Sequence, residues 1–168
     1  MRVGRFYMNG GLTLIIGYGN PGRQDDGLGP EFVRRVDDGN WQGVSTQVNY
    51  QLTVEDAVDI ARYPRIIFVD ATIEPSIATE QGFSFTPVGE ASGQPFASHS
   101  LTPGSLMELA RTLFDARAEA YILAISGYEF DQFEEKLSAR AEANLLNALD
   151  YCRQWLQRHP VSELESHA

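Results

Sequence analysis

Residues 12–38 read LTLIIGYGNPGRQDDGLGPEFVRRVDD, an apolar run followed by a glycine-rich loop and an amphipathic segment. Residues 12–17 carry no charge and end at a glycine, which predicts a buried strand. Apolar residues then recur at helical spacing and predict a helix near Leu28 to Asp38, with Pro30 acceptable only in its first turn. Strand, loop and helix in this order are typical of the first unit of an α/β sheet.

Further segments continue the alternation outward from this unit. Strands are predicted at residues 43–50, 65–71 and 120–126, with an outer strand or hairpin arm at 82–88. Thr53 is predicted to cap a short helix at 54–62, Thr102 a helix that runs to about 116, and a last helix covers about 137–157. The sequence thus predicts an α/β fold: a single-domain three-layer α/β/α sandwich with a mostly parallel twisted sheet.

Length and composition fit one soluble domain. The 168 residues are predicted to form a single domain, residues 1–168, with a core at 12–157 and peripheral ends at 1–11 and 159–168. No apolar run approaches the roughly 20 residues of a membrane span, and no secretory signal is recognisable, so we expect a cytoplasmic protein. The single cysteine, Cys152, excludes an intrachain disulfide and a cysteine-rich metal site.

The formal net charge of −10 bears on partners. An acidic surface repels phosphate backbones, so nucleic-acid binding is not expected. A positively charged partner fits better, although an acidic surface more often serves solubility alone.

Three polar positions follow strands, where open α/β sheets bind their ligands. Asp25 and Asp26 precede the first helix, and a helix cap would explain one of them but not the pair. Asp70 directly follows an apolar run, and a local turn is the alternative explanation. His99 precedes the helix capped by Thr102, although a lone loop histidine is more often ordinary surface. Two carboxylates and an imidazole suit Zn²⁺, Ni²⁺ or a similar divalent ion and leave coordination positions open.

Other functions find less support. Residues 17–22 (GYGNPG) match a dinucleotide-binding fingerprint, but Pro30 sets the helix start late, Asp25 and Asp26 would repel phosphates, and residues 49–51 offer no acid for a ribose. The nucleophile elbow, the zinc-protease helix and the phosphate-binding loop are absent from the sequence.

The sequence resembles the [NiFe]-hydrogenase maturation endopeptidases over about residues 12–156. The resemblance is carried by four segments that keep the family's order and spacing. They are residues 17–20 with 25–30 (GYGN, DDGLGP), 68–71 (FVDA), 98–101 before Pro103 (SHSL), and 125–130 with 137–138 (ISGYEF, LS).

The resemblance implies an enzyme that removes the C-terminal extension of a hydrogenase large-subunit precursor after nickel insertion. The family's metal-binding positions fall on Asp26, Asp70 and His99; some members have Glu where this chain has Asp26. We expect these side chains to complete the coordination of nickel supplied by the substrate, so that no tightly bound cofactor is needed. Two rivals stay open: a precursor-binding module that does not cleave, and another α/β hydrolase that uses paired carboxylates without metal.

Overall fold

The computed structural model describes residues 13–73, 80–89 and 101–161, and their strands form one sheet. The strands lie in the order β2-β1-β3-β5-β4. The first four in this order are parallel, and β4 runs antiparallel to β5 at the edge. Their bounds are β1 Thr13–Tyr18, β2 Val44–Asn49, β3 Arg65–Thr72, β4 Phe83–Pro87 and β5 Glu119–Ser126. The predicted fold class is therefore confirmed, including the outer position of β4.

Helices cover both faces of the sheet. They are α1 Leu28–Gly39, α2 Asp56–Ile60, α3 Pro103–Phe114 and α4 Ala139–Arg158. The apolar side of β1 and β3 that carries Ile15 and Ile67 packs against α1 and α4, and the side that carries Ile16 and Phe68 packs against α2 and α3. Strands buried on both sides need uninterrupted apolar runs, as β1 and β3 have. No helix within the described ranges is long and apolar enough to cross a membrane.

The predicted start of α3 is confirmed, and the predicted cap of α2 is wrong. Thr102 caps α3, with its side chain accepting from Ser105 N at 3.1 Å and Pro103 in the first turn. The helix predicted at 54–62 is only Asp56–Ile60, and the Thr53 side chain does not cap it. Instead the buried Asp56 carboxylate accepts from Thr53 N at 2.8 Å and from side-chain amides of β2. A buried carboxylate needs several donors, so Asp56 fixes this turn.

Candidate functional site

The turn after β1 holds Asp26 in a fixed position. Gln24–Gly27 form a 3₁₀ turn, and Asp26 Oδ2 accepts a hydrogen bond from Asn20 N at 2.8 Å. Gly19 lies between β1 and this turn with φ of 139°, and a side chain there would collide with the Asp26 backbone oxygen. Only glycine tolerates both the backbone conformation and the close approach. The glycine-rich loop therefore folds back on the turn that carries Asp26.

Asp70 lies near the end of β3. Its Oδ1 accepts a hydrogen bond from Ala71 N at 2.8 Å. Burial raises the pKa of Asp70 to about 7, and the negative charge of Asp26 raises it too, against the lowering effects of the Ala71 N–H and the Tyr18 phenol. Burial raises the pKa of Tyr18, and the charge of Asp70 and its hydrogen bond with the Tyr18 phenol raise it further. Asp26 and Asp70 are thus close enough for their charges to repel each other.

Helix α1 packs tightly on the strand ends and brings the two acids together. β1 and β3 pair Gly17 with Val69, so Tyr18 and Asp70 occupy the next position on neighbouring strands. A Cβ at Gly29 would lie 2.5 Å from the Tyr18 carbonyl oxygen and 2.6 Å from that of Val69. Glycine at this position lets the start of α1 rest on both strand ends, which places the Asp26 turn over Asp70.

The side chain of Asp70 belongs to the sheet face covered by α2 and α3. Side chains alternate along a strand, and Phe68, two residues earlier, lies in the core cluster on that face. Tyr18 and Leu101 pack against the same cluster, and Thr102 starts α3 directly after Leu101. His99 lies outside the described residues, so its place in the site stays a prediction.

Asp25 has a different role from its neighbour. It is fully buried, and its carboxylate accepts four hydrogen bonds: from the backbone N–H of Tyr128 (2.7 Å) and Glu129 (3.0 Å), and from Ser138 N and Oγ (both 2.7 Å). Burial acts to raise the pKa of Asp25, but these hydrogen bonds outweigh it and lower the pKa. Neither Asp25 nor Asp26 caps α1, whose N-cap is Gly27 without a side-chain bond. Asp25 joins the β1 turn to the segment before α4.

This function of Asp25 was not predicted from the sequence. A signal existed in Ser138, which caps α4 by accepting from Ala141 N at 3.2 Å. The sequence pattern alone could not connect Ser138 with Asp25, because the two residues lie far apart in the chain. The Asp25 hydrogen bonds now account for one member of the Asp25–Asp26 pair, and Asp26 is the one left for chemistry.

Asp26 and Asp70 have no positive partner in the described part of the chain, where the ion pairs involve other acids. The described part of the chain also contains no group of three His, Cys, Asp or Glu side chains that could hold a metal ion. A three-ligand metal site here needs a further ligand, and His99 is the candidate. Without it, the arrangement is two interacting carboxylates, one with a pKa near neutrality.

The structure of this loop argues against the dinucleotide-binding alternative. The helix starts at Leu28, after the 3₁₀ turn rather than directly after Gly22. Asp26 instead occupies the loop between them, with its carboxylate bonded to Asn20 N. A phosphate in this loop would meet a carboxylate where the fingerprint requires free N–H groups.

Several solved structures with a similar fold are named as hydrogenase maturation proteases. The hydrogenase 2 maturation peptidase from Thaumarchaeota archaeon SCGC_AB-539-E09 is 21% identical, with a TM-score of 0.63 over 87% of this chain and 98% of that one. The [NiFe] hydrogenase maturation protease HycI from Thermococcus kodakarensis KOD1 is 17% identical, with a TM-score of 0.69 over 94% and 99%. The hydrogenase maturating endopeptidase HybD from E. coli is 16% identical, with a TM-score of 0.62 over 92% and 99%.

The sequence comparisons were negative: no protein-family model and no curated protein matches the chain. At the identities of the solved structures, the likeness establishes the fold alone. The resemblance seen in the sequence motifs therefore extends to the three-dimensional architecture over nearly the whole chain.

Proposed function

We propose that this chain is a metal-dependent endopeptidase of the [NiFe]-hydrogenase maturation family. It removes the C-terminal extension of a large-subunit precursor in the cytoplasm after nickel has been inserted. One observation carries the proposal: Asp26 and Asp70, from two separate motifs of the resemblance, interact at the carboxyl edge of a sheet with the fold of these proteases. That edge is where α/β enzymes bind their substrates.

The charge of the two acids supports a cationic substrate group. The Asp26 charge raises the pKa of Asp70, and no Lys or Arg of the described residues pairs with either acid. A divalent cation between two carboxylates removes their repulsion. In this proposal the cation is the nickel of the precursor, so binding reports whether nickel has been inserted.

His99 supplies the third side chain in the proposal. Helix α3 ends at Phe114, close to the start of β5 at Glu119, and its 12 residues span about 18 Å. A helix that feeds a parallel strand runs back along it, so Thr102 starts α3 toward the carboxyl edge. The chain just before Thr102 therefore enters the helix on the Asp70 side of the sheet. An imidazole and two carboxylates form a ligand set that suits Ni²⁺.

The three side chains would bind the substrate's nickel and leave positions for the scissile carbonyl or a water. The metal ion polarises that carbonyl or lowers the pKa of that water. Asp26 is held by Asn20 N, and Asp70 by Ala71 N, so both carboxylates are oriented before the substrate arrives. Such preorganisation is what a catalytic site requires.

A hydrolase that uses the two carboxylates without metal is the second candidate. It is favoured by the pKa of Asp70, about 7, beside the charge of Asp26. A carboxyl group with a pKa near neutrality can donate or accept a proton during hydrolysis. Cleavage of a nickel-free precursor that persists in a chelator would favour this candidate over the first.

The proposed function is tested with nickel-loaded and nickel-free large-subunit precursors that carry their C-terminal extension. Each is incubated with the purified protein, and the product mass is measured. We expect shortening of the loaded precursor only. Asp26→Ala and His99→Ala should abolish processing. The controls should retain it: Asp59→Ala, a half-buried acid paired with Arg62, and His159→Ala, an exposed histidine. Wild-type rates for either site variant would contradict the assignment.

A further inference from the structure

The most exposed large apolar side chains of the described residues gather at one edge of the sheet. They are Phe133, Tyr50 and Ile73, whose exposed fractions are 89%, 73% and 71%. All three lie in segments that follow strands at the carboxyl edge: Tyr50 after β2, Ile73 after β3 and Phe133 after β5. We call these three side chains the apolar rim. Single exposed apolar residues are common, whereas several along one edge are typical of an interaction surface.

The apolar rim lies around the candidate site. β1 and β3, which lead to Asp26 and Asp70, are neighbours in the sheet, and β2 lies beside β1. Tyr50 follows β2, and Ile73 directly follows the last residue of β3. Hydrogen bonds between Gln24 and the residues on either side of Phe133 place this ring beside the turn that carries Asp26. A partner that covers the acids would also cover the rim.

Phe133 is held in its exposed position by backbone bonds on both sides. Gln132 N donates to Gln24 Oε1 at 3.0 Å, and the Glu134 oxygen accepts from Gln24 N at 2.9 Å. Gln24 begins the turn that carries Asp26. Nearby, Asp25 secures the start and end of the same segment through Tyr128 and Ser138. A backbone fixed before binding loses little conformational entropy when a partner covers this segment.

The charge around Phe133 indicates the chemistry of that partner. Residues 128–136 read YEFDQFEEK, and the four acids Glu129, Asp131, Glu134 and Glu135 are exposed. The sheet edge adds the carboxylates of Asp26 and Asp70. An apolar surface bordered by Lys or Arg would complement this arrangement.

We propose that the apolar rim and the acidic segment around Phe133 form the docking surface for the folded body of the precursor, as distinct from its C-terminal tail. This inference rests on the proposed function. The rim binds an apolar patch edged by basic side chains, and this contact brings the nickel centre of the precursor onto Asp26 and Asp70.

The test compares Phe133→Ser and Ile73→Ser with matched controls at the opposite edge, Phe114→Ser and Leu113→Ser in the last turn of α3. Steady-state cleavage of the nickel-loaded precursor is followed by mass. Each rim variant should raise KM about tenfold or more, as loss of an interface anchor does, with kcat within twofold of wild type. The two control variants should keep the wild-type KM and kcat. Circular dichroism melts establish that every variant is folded.

A second measurement tests the acidic residues next to Phe133. Glu134→Gln with Glu135→Gln should raise KM at low ionic strength and weaken its dependence on salt, because fewer charges attract the basic partner. Wild-type KM in both rim variants, or a loss confined to kcat, would overturn the docking surface while leaving the protease intact. Failure of the unaltered protein to cleave either precursor would overturn the proposed function and the docking surface together.

Discussion

Asp25 and Asp70 lie at the same edge of the sheet, the first in the turn after β1 and the second at the end of β3. Asp25 is fully buried and accepts four hydrogen bonds, which lower its pKa against the effect of burial. Asp70 accepts from Ala71 N and interacts with Tyr18, and burial with the nearby Asp26 charge raises its pKa to about 7. The fold therefore compensates the charge of Asp25 and leaves the charge of Asp70 poorly compensated.

This difference separates structural acids from candidate chemical ones. Asp56 falls in the first class with Asp25, because it too is buried and bonded to several donors. A carboxylate whose lone pairs are used by the fold has little capacity left for a ligand. Asp26 and Asp70 keep that capacity, at a cost in electrostatic repulsion that a bound cation removes.

The largest expected effect is the loss of stability in Asp25→Ala. The change leaves the N–H groups of Tyr128, Glu129 and Ser138 without their carboxylate acceptor, which should lower the free energy of unfolding by about 3–5 kcal/mol. Urea unfolding followed by circular dichroism measures it. Asp26→Ala serves as the comparison, since it removes one bond to Asn20 N and should cost about 1 kcal/mol. Equal losses in the two variants would refute the distinction between them.

Gly29→Ala should be next in size. The added methyl would overlap the carbonyl oxygens of Tyr18 and Val69, so α1 must shift away from the strand ends. We expect a loss of about 2–3 kcal/mol, together with loss of cleavage because the Asp26 turn moves from Asp70. Gly89→Ala is the control, since nothing lies within 4 Å of a Cβ there. Full activity and stability in Gly29→Ala would show that this packing does not set the site.

Acid unfolding tests the hydrogen bonds of Asp25 in another way. Its folded-state pKa is lowered, so its stabilisation is present above the unfolded pKa of about 4 and is lost as pH falls through the folded value. Wild-type stability should therefore fall as the solution is acidified below pH 4. The Asp25→Asn variant should be less stable than wild type at neutral pH, and its stability should fall less on acidification. Thermal melts between pH 2 and pH 7 measure this dependence. Parallel curves of stability against pH for wild type and Asp25→Asn would show that Asp25 contributes nothing.

The sequence predicted the architecture well because its signals are local. The apolar runs of β1 and β3 and the Thr102-Pro103 start of α3 each lie within a few residues. It failed where a contact joins distant segments: Asp25 with Ser138, and Asp56 with the amides of β2 that displaced the Thr53 cap. The Asp26–Asp70 meeting was predictable in outline, because parallel strands end at one edge. Its electrostatics depend on burial, which no residue pattern specifies.

Asp70→Asn is expected to have the smallest effect on stability, and in the opposite direction. A carboxyl with a raised folded pKa binds its proton more tightly in the folded state, so wild-type stability declines as pH rises from about 4 to about 7. The neutral amide removes that decline and can still accept from Ala71 N. The variant should match wild type near pH 4 and exceed it by about 1–2 kcal/mol at pH 8, in urea unfolding with a chelator present. Because the same change removes a carboxylate from the proposed site, it should also abolish cleavage, so a stabilised and inactive variant would distinguish a site acid from a structural one. A variant less stable than wild type at pH 8 would place Asp70 with Asp25 among the acids that hold the fold.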